Sequence, residues 1–523
     1  MRGMRSLHRI AAAALWLALA APLAAATTEA ADAAQIAWLP AASDADIERA
    51  FAQARGESKP LLLYWGAKWC PPCNQLKATL FNRQDFIERS RAFVAVAIDG
   101  DTPGAQKLGK RFRVSGYPTL VLFKPDGTEI TRLPGEADAP QVLRVLQLGM
   151  AGGRPVAAVL DDARAGKPLL ANEWRLLAFY SWDTDEQRLA GNGERAGLLA
   201  TLAAACPKAQ AESRTRLWLK ALAASDDGQG VRADASLRKL VADVLADPHA
   251  ARTHMDVLSN GAAEITRAVT TQAAGGRRDA FVAAYDAALR RLESDATLSR
   301  ADRLGALAAR VELARLDVPK EEADVRLPPA LLRDVRDHVA RDDREIRDGY
   351  ERQAVITSAA WLLGESGLMG ESDALLKANL AKSHSPYYLM SELAGNARRR
   401  GDAPAALQWY ERAFDASEGP ATRLQWGASY VSALVELAPG DAARIEQAAS
   451  KVFAEAAAQP NAFYERSARS LQRVGRRLAG WSADGRHAET MARLQRQLDA
   501  LCGKLDAAGG ERATCDALLK PAG

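Results

Sequence analysis

Cysteine and histidine are both scarce in this chain of 523 residues, which contains five of the first and six of the second. Five cysteines are too few for a disulfide scaffold in a chain this long, and the odd number leaves at least one sulfur without an intramolecular partner. Clustered positive charge is also lacking, because 69 basic and 65 acidic residues give a net charge of only +4. That balance provides no electrostatic case for a nucleic-acid partner.

Motifs that bind common cofactors are missing as well. The sequence has no Walker loop, no dinucleotide fingerprint and no HExxH motif, and no cofactor is expected. Apolar residues make up 48% and charged residues 26%, which is the balance of a soluble globular protein. At roughly 100–200 residues per domain, the length predicts two to four domains.

The first 26 residues have the pattern of a secretory signal peptide. Three arginines precede an apolar stretch at 10–23, and the alanines at 24–26 are the small residues that a signal peptidase reads. An uncleaved membrane anchor is the alternative, although the stretch is shorter than the ~20 residues of a spanning helix. No second long apolar run follows, so we expect a mature protein without a membrane span, in the periplasm or otherwise exported.

Residues 36–150 are predicted to form one α/β domain. Two continuously apolar runs, 61–65 and 93–98, are typical of strands that are buried on both faces. A third strand and a hairpin partner are predicted at 117–123 and 128–133. Helical patterns accompany them at 44–55 (with Ser43 as N-cap), 75–81, 105–112 and 141–148. Strands that alternate with helices and end in a hairpin predict a mixed sheet with helices on both faces.

A linker at 151–155 separates this domain from a region of different character. Ala, Leu, Arg and Asp dominate after the linker, and strand-like runs disappear. We therefore expect residues 156–523 to be all-helical.

Part of the helical region has the spacing of a tetratricopeptide repeat. Ala406 and Ala413, within 389–413, match the small residues that let two helices pack closely. Ala374 and Ala381 lie 32 residues upstream of them and suggest a preceding repeat. An irregular helical bundle is the alternative.

The motif that carries chemistry is Cys70-Pro71-Pro72-Cys73, which follows the first apolar run and opens a helix. The unpaired N–H groups and partial positive charge of a helix N-terminus stabilise a thiolate, so the pKa of Cys70 should fall below the usual value of about 8.5. Lys68 adds positive charge nearby, and the two prolines occupy the first turn, where a missing N–H costs little. We expect Cys70 to meet and attack a substrate disulfide, and Cys73, shielded one turn further in, to release the substrate.

Half of a zinc site is the alternative interpretation of this motif. A structural zinc ion needs four ligands, usually with a second Cys or His pair nearby. Residues 36–150 contain no other cysteine and no histidine, so no metal is expected.

The combination of motifs resembles the thioredoxin family. WCPPC, which includes Trp69, lies between a buried strand and a helix, and Tyr117-Pro118-Thr119 follows about 45 residues later. The runs KPLLLYWGAKWCPPCNQLKATLF and FVAVAIDGD are also similar to the periplasmic thioredoxin-like domain of membrane thiol:disulfide interchange reductases. The resemblance implies a thioredoxin fold, a cis bond before Pro118, and a backbone at Tyr117 that pairs with bound substrate beside Pro71 and Pro72.

Two departures from the family are visible. Thioredoxins carry a buried Asp at the place of Tyr64 and a Lys at the place of Ala95. Because the family's Asp helps deprotonate the second cysteine, the base for Cys73 is left open between water and a group from the helical region. The membrane domain of the interchange reductases is absent, so a separate electron donor or acceptor protein is expected.

The remaining cysteines, histidines and tryptophans are assigned structural or solvated positions. Cys502 and Cys515 are predicted to form a structural disulfide, with a second redox pair as the alternative, and Cys206 is predicted to be a small buried residue. Solvated positions are expected for His249, His254 and His384. Helix-packing positions are expected for Trp361, Trp409 and Trp426.

These observations favour an exported thiol–disulfide oxidoreductase that reduces or exchanges protein disulfides, with protein partners recruited by the helical region. A scaffold protein, in which the redox domain is a docking or sensing module, is the alternative from another class. A dedicated oxidant is a third reading, since the sequence does not give the direction of electron flow.

Overall fold

The structure is a computed structural model that describes residues 35–114, 116–185, 188–191, 193–225, 230–270, 275–319, 325–508 and 510–520. The expected signal peptide at 1–26 lies outside the described residues. Across the ranges that are described, no helix is both long enough and apolar enough to cross a membrane.

The N-terminal domain contains the expected mixed sheet. Its strands are β1 (Leu39–Pro40), β2 (Leu61–Gly66), β3 (Val94–Asp99), β4 (Thr119–Phe123) and β5 (Glu129–Leu133). Their spatial order is β1-β3-β2-β4-β5, with β1, β3 and β2 parallel and the last two strands antiparallel to their neighbours. The apolar run of β2 lies at the centre, where Leu63 pairs with Val96 on one side and Val121 on the other. Every residue of β2 is buried, as a doubly covered strand requires.

Five helices cover the two faces of this sheet. They are α1 (Asp44–Glu57), α2 (Pro71–Leu76), α3 (Gln84–Ser90), α4 (Ala105–Phe112) and α5 (Ala139–Met150), with a π-helical turn, Lys77–Phe81, that continues α2. Alternate residues of β2 point to opposite faces, so Leu63 packs with α1 and α4, whereas Leu62 packs with α2, α3 and α5. The side chain of Ser43 caps α1 by accepting the Asp46 N–H, as predicted.

Two elements of the domain, β1 and α3, are absent from the sequence-based expectation. The first has only two residues and the second seven, which is too short for a period to be recognised. Tertiary contacts hold both in place: Leu39 pairs with Val96, and Phe86 is fully buried against the sheet.

The expectation of an all-helical second region is confirmed for the described residues. Its helices are α6 (Val156–Arg164), α7 (Ala171–Ala178), α8 (Arg195–Ala205), α9 (Ala211–Ala223), α10 (Ala235–Ala246), α11 (Pro248–Thr253), α12 (Met255–Asn260), α13 (Ala262–Thr270), α14 (Gly275–Glu293), α15 (Arg300–Ala314), α16 (Pro329–Glu345), α17 (Gly349–Glu365), α18 (Met369–Asn379), α19 (Pro386–Arg399), α20 (Ala403–Ala416), α21 (Pro420–Leu437), α22 (Ala442–Ala457), α23 (Glu465–Trp481), α24 (Ala488–Cys502) and α25 (Gly510–Asp516).

The two regions share one apolar core. Residues of α2 and α5 belong to the same buried cluster as Val156, Leu160 and Trp174 of α6 and α7. Arg132 of β5, which is 1% exposed, joins the regions through its guanidinium, which donates to the carbonyl oxygen of Thr184 at 2.7 Å. The helical region is therefore packed against the sheet domain rather than tethered to it.

The repeat-like segment forms two packed helices, α19 and α20. Ala406 and Ala413 are buried, whereas Ala374 and Ala381 are exposed. The suggested preceding repeat is wrong at these two positions, because an exposed alanine does not let two helices approach. Membership of the tetratricopeptide class stays a prediction for the pair α19 and α20.

Candidate redox site

A disulfide joins Cys70 and Cys73 at the N-terminus of α2, with 5.2 Å between their Cα atoms. Cys70 is the N-cap residue of α2, and its sulfur accepts the backbone N–H of Cys73 at 3.2 Å. Pro71 and Pro72 fill the first helical positions, where the missing N–H groups leave no intrahelical bond unmade. The side chain of Asn74 donates to the carbonyl oxygens of Lys68 and Cys70 and so fixes the loop before the helix.

The expectation that Cys70 meets substrate at an open helix tip is wrong for this conformation. Cys70 is only 2% exposed and Cys73 is fully buried. The cause is the helical region, which packs over the loop that precedes α2. Tyr388 of α19 stacks on Trp69 with 5.6 Å between ring centroids, and the side chain of Gln353 in α17 donates to the Trp69 carbonyl oxygen at 3.2 Å.

A polar cluster centred on Asp101 lies beside residues 67–70, the loop between β2 and α2 that we call the redox loop. One carboxylate oxygen accepts the indole N–H of Trp69 at 2.8 Å. The other accepts both the backbone N–H and the hydroxyl of Thr422 in α21, at 3.0 and 2.7 Å, and the guanidinium of Arg466 in α23 at 2.5 Å. That guanidinium also lies over the rings of Trp69 and Tyr117, 5.0 and 5.2 Å from their centroids.

Sequence reasoning missed both Asp101 and Arg466. A signal for the first exists, because Asp101 follows β3 and the carboxyl ends of parallel strands β2 and β3 meet at the same edge of the sheet. For Arg466 we find no local signal, since nothing in its surroundings distinguishes it from the other basic residues of the chain.

The segment predicted to lie against the redox pair contacts the redox loop through aromatic rings. The peptide bond between Tyr117 and Pro118 is cis. The Tyr117 ring meets that of Trp69 edge-on at 6.0 Å and stacks on that of Trp65 at 6.1 Å. Its hydroxyl accepts the side-chain amide of Gln106 at 3.1 Å. Trp69, Tyr117 and the redox loop are thus brought together, as the resemblance implied.

Lys68 is not an unpaired charge beside the sulfurs, because it forms an ion pair. Its amino group lies 3.2 Å from the carboxylate of Glu418, in the loop before α21. Both side chains are more than half exposed, so solvent screens the pair and its net contribution to stability is small. The contact nevertheless directs Lys68 toward the helical region.

Tyr64 lies at the position of the buried Asp of thioredoxins, but it does not provide the base that this Asp provides. The side chain is 6% exposed, and its hydroxyl has no hydrogen-bond partner among the described residues. Burial, reinforced by the negative charge of Asp99, raises the pKa of Tyr64 well above its ordinary value, so the phenol stays protonated at neutral pH. Tyr64 therefore supplies no base for Cys73.

A cavity of about 650 Å³ is lined mainly by residues of the N-terminal domain, together with Tyr350 of α17. Tyr64, Lys68, Lys77, Asp99 and Tyr350 are among the residues that line it. Burial lowers the pKa of Lys77 and raises that of Asp99. Neither Cys70 nor Cys73 is among the residues that line this cavity.

The other cysteines lie in apolar surroundings. Cys502 and Cys515 form a disulfide between α24 and α25, and both are buried. Cys206 is a free thiol at the end of α8, 1% exposed, and burial raises its pKa to about 11. A thiol with that pKa is almost fully protonated at neutral pH and is a poor nucleophile.

Two expectations about other side chains are wrong. His254 is not solvated: it lies at the junction of α11 and α12, it is 3% exposed, and burial lowers its pKa to about 4. Trp361 does not pack between helices, since it is 47% exposed on α17. His249 is exposed, His384 and Trp409 are half-buried, and Trp426 is buried.

Comparison with known proteins agrees with the geometry of the N-terminal domain. Residues 47–149 match the family model for a thioredoxin-like domain. The N-terminal domain is a thioredoxin-like domain. Its curated relatives include thiol:disulfide interchange protein DsbD 2 of Pseudomonas aeruginosa, which is 31% identical over 20% of this chain and 18% of its own length. The DsbD protein of Yersinia pestis is 32% identical over 21% of this chain and 19% of its own length. The chain thus spans about a fifth of the length of these relatives.

Among solved structures, a thioredoxin from Thermus thermophilus is similar to the thioredoxin-like domain. It has 27% sequence identity, covers 22% of this chain and 85% of its own, and gives a TM-score of 0.19.

Proposed function

We propose that this protein is an exported thiol–disulfide oxidoreductase that reduces or exchanges protein disulfides through Cys70 and Cys73. The observation that carries the proposal is the bonded cysteine pair at the N-terminus of α2, directly after the central strand of a thioredoxin-like domain. A sulfur in this position is stabilised as a thiolate by the helix terminus once the bond is reduced.

The reaction is two successive thiol–disulfide exchanges. The Cys70 thiolate attacks one sulfur of a substrate disulfide, and the other substrate sulfur leaves as a thiolate. The Cys73 thiolate then attacks the Cys70 sulfur, which forms the Cys70–Cys73 disulfide and releases the second substrate sulfur as a thiolate. Two electrons pass from the cysteine pair to the substrate, and a separate donor protein restores the dithiol. The reverse sequence oxidises a substrate dithiol.

Other residues of the site position these two sulfurs and the substrate. Pro71 and Pro72 stiffen the turn between the cysteines, and Lys68 adds positive charge. Trp69, Tyr117 and Pro118 form the surface on which a substrate strand lies, and the helical region recruits protein partners. Cys502 and Cys515 have a structural role.

An insulin-reduction assay with dithiothreitol as the electron source tests this function. The wild-type chain should accelerate insulin precipitation, and Cys70→Ala should reduce the rate to that of dithiothreitol alone. Cys206→Ala is the matched control, since it removes a buried sulfur outside the redox site and should retain the wild-type rate. Equal rates for wild type and Cys70→Ala would refute catalysis.

The burial of Cys70 favours a second candidate, a scaffold in which the thioredoxin-like domain docks or senses and rarely turns over. The variant Cys73→Ser distinguishes the two functions because it cannot resolve a mixed disulfide. Several covalently trapped proteins, lost when Cys70 is also replaced, support the oxidoreductase. Partners that bind equally well and non-covalently to wild type and Cys73→Ser support the scaffold.

A further inference from the structure

We propose that the helical region is a built-in cover for the redox pair, and that the pair reacts only after this cover separates from the thioredoxin-like domain. The inference rests on the proposed function and concerns the regulation of the same site. We call the surface between the two parts the closed interface. On the thioredoxin-like domain it consists of Lys68, Trp69, Gln75 and Asp101. On the helical region it consists of the residues that contact these four, namely Asp302, Gln353, Tyr388, Glu418, Gly419, Thr422 and Arg466.

The geometry of disulfide exchange makes the cover effective. An attacking sulfur must approach the disulfide along the line of its S–S bond, so the outer sulfur has to be open on the side that faces solvent. Cys70 is the outer sulfur here, and only 2% of its surface is exposed. A thiol carried on another protein therefore does not reach it in this conformation.

Besides the stacking of Tyr388 on Trp69, specific polar contacts hold the cover. Asp101 accepts four hydrogen bonds, of which three come from Thr422 and Arg466 in the helical region. In α2, the side-chain amide of Gln75 donates to the carboxylate of Asp302 at 2.7 Å. Gln75 and Asp101 are thus each bonded to residues more than 200 positions away in the chain.

Gly419 shows how closely the cover approaches. A Cβ atom placed on it would lie 2.6 Å from the Cβ of Asp101, and its backbone has φ +88°. Both the space and the backbone conformation exclude an ordinary side chain. The closed interface therefore requires glycine at position 419.

The polar part of the closed interface can be solvated when the cover separates. Its hydrogen bonds can be exchanged for hydrogen bonds with water at little net cost. Trp69 and Tyr388 of the closed interface also contact the large buried apolar cluster that contains α5, α6 and α7.

The rate at which dithiothreitol reduces the Cys70–Cys73 bond in the oxidised full-length chain measures opening. Samples are quenched with iodoacetamide, and peptide mass spectrometry reads the peptide with both cysteines. We expect Arg466→Ala to be reduced at least tenfold faster than wild type. Arg336→Ala is the matched control, because Arg336 pairs with Glu371 on an exposed surface of the helical region and should leave the rate within twofold of wild type.

Gly419→Ala is the second variant, since it opens the interface by one methyl group and keeps every charge. Circular dichroism establishes that each variant is folded. Should Arg466→Ala not fold, Gly419→Ala alone decides: an accelerated reduction supports the cover, and a wild-type rate overturns it. Wild-type rates in both folded variants overturn it as well.

The assay separates this inference from the proposed function, because dithiothreitol needs access to the sulfurs but no protein substrate. Faster reduction in Arg466→Ala without insulin turnover in any variant retains the cover and refutes the oxidoreductase. Insulin turnover in wild type with unchanged dithiothreitol rates in the variants retains the oxidoreductase and refutes the cover.

Discussion

The guanidinium of Arg216 forms two hydrogen bonds, of 2.9 and 2.5 Å, with the carboxylate of Asp256, and neither side chain is exposed. Arg216 belongs to α9 and Asp256 to α12, and the guanidinium also donates to the carbonyl oxygen of Ala178 at the end of α7. Burial by itself would raise the pKa of Asp256, but the charge and hydrogen bonds of the adjacent Arg216 outweigh burial, so the pKa falls to about 2. The ion pair joins three helices near the core of the helical region.

Removal of one partner of this pair should be costly. Asp256→Ala leaves the Arg216 charge buried without a counter-ion, and we expect the free energy of unfolding to fall by about 3–5 kcal/mol. Glu371→Ala, which removes the partner of exposed Arg336, should cost no more than about 1 kcal/mol. Urea unfolding followed by circular dichroism measures both. Equally small losses of unfolding free energy in Asp256→Ala and Glu371→Ala would show that water reaches Arg216.

The buried His254 should make stability depend on pH. Burial and the nearby positive charge of Arg216 lower its pKa to about 4, from 6.5 in the unfolded chain. Between these values the unfolded chain binds more protons than the folded one, so stability is complete above pH 6.5 and declines as the pH falls toward 4. The full loss is about 3 kcal/mol. Urea midpoints across this pH range measure it.

Two variants isolate the contribution of His254. His254→Gln should flatten the pH profile in this window, whereas His249→Gln, at an exposed histidine, should leave it unchanged. A profile with the same slope in His254→Gln and wild type would assign the pH dependence to other groups.

The disulfide between Cys502 and Cys515 should stabilise the C-terminus without taking part in catalysis. Its sequence separation is 13 residues, and closure of a loop this short contributes about 2–3 kcal/mol. The double variant Cys502→Ala/Cys515→Ala should unfold at lower urea than wild type yet reduce insulin at the wild-type rate. Loss of insulin reduction in a folded double variant would instead indicate a second redox pair.

The thiol of Cys206 should be inert in the folded protein. Its burial and its pKa of about 11 leave little thiolate at pH 8. Iodoacetamide at pH 8 should therefore leave Cys206 unmodified in the native chain and modify it completely in urea. Rapid alkylation of the native protein would show that the end of α8 opens readily.

The thioredoxin-like domain could be predicted well because its signals are local. The buried run at 61–65, the alternation of helices and strands, and the Ser43 cap each depend on neighbouring residues, and β2, α1 and the hairpin of β4 and β5 agree with them. The short β1 and α3 were missed since tertiary contacts hold them in place.

The sequence by itself determined the chemistry of this protein: two cysteines at the start of a helix that follows a buried strand, in a fold that periodicity and turn residues specify. Only the tertiary structure decided which molecules can reach those cysteines. Arg466 meets Asp101 across 365 positions of the chain, and Tyr388 covers Trp69, through contacts that leave no local pattern. Burial is a property of the whole packed molecule, so the seclusion of Cys70 and the burial of His254 became visible only when distant helices were placed.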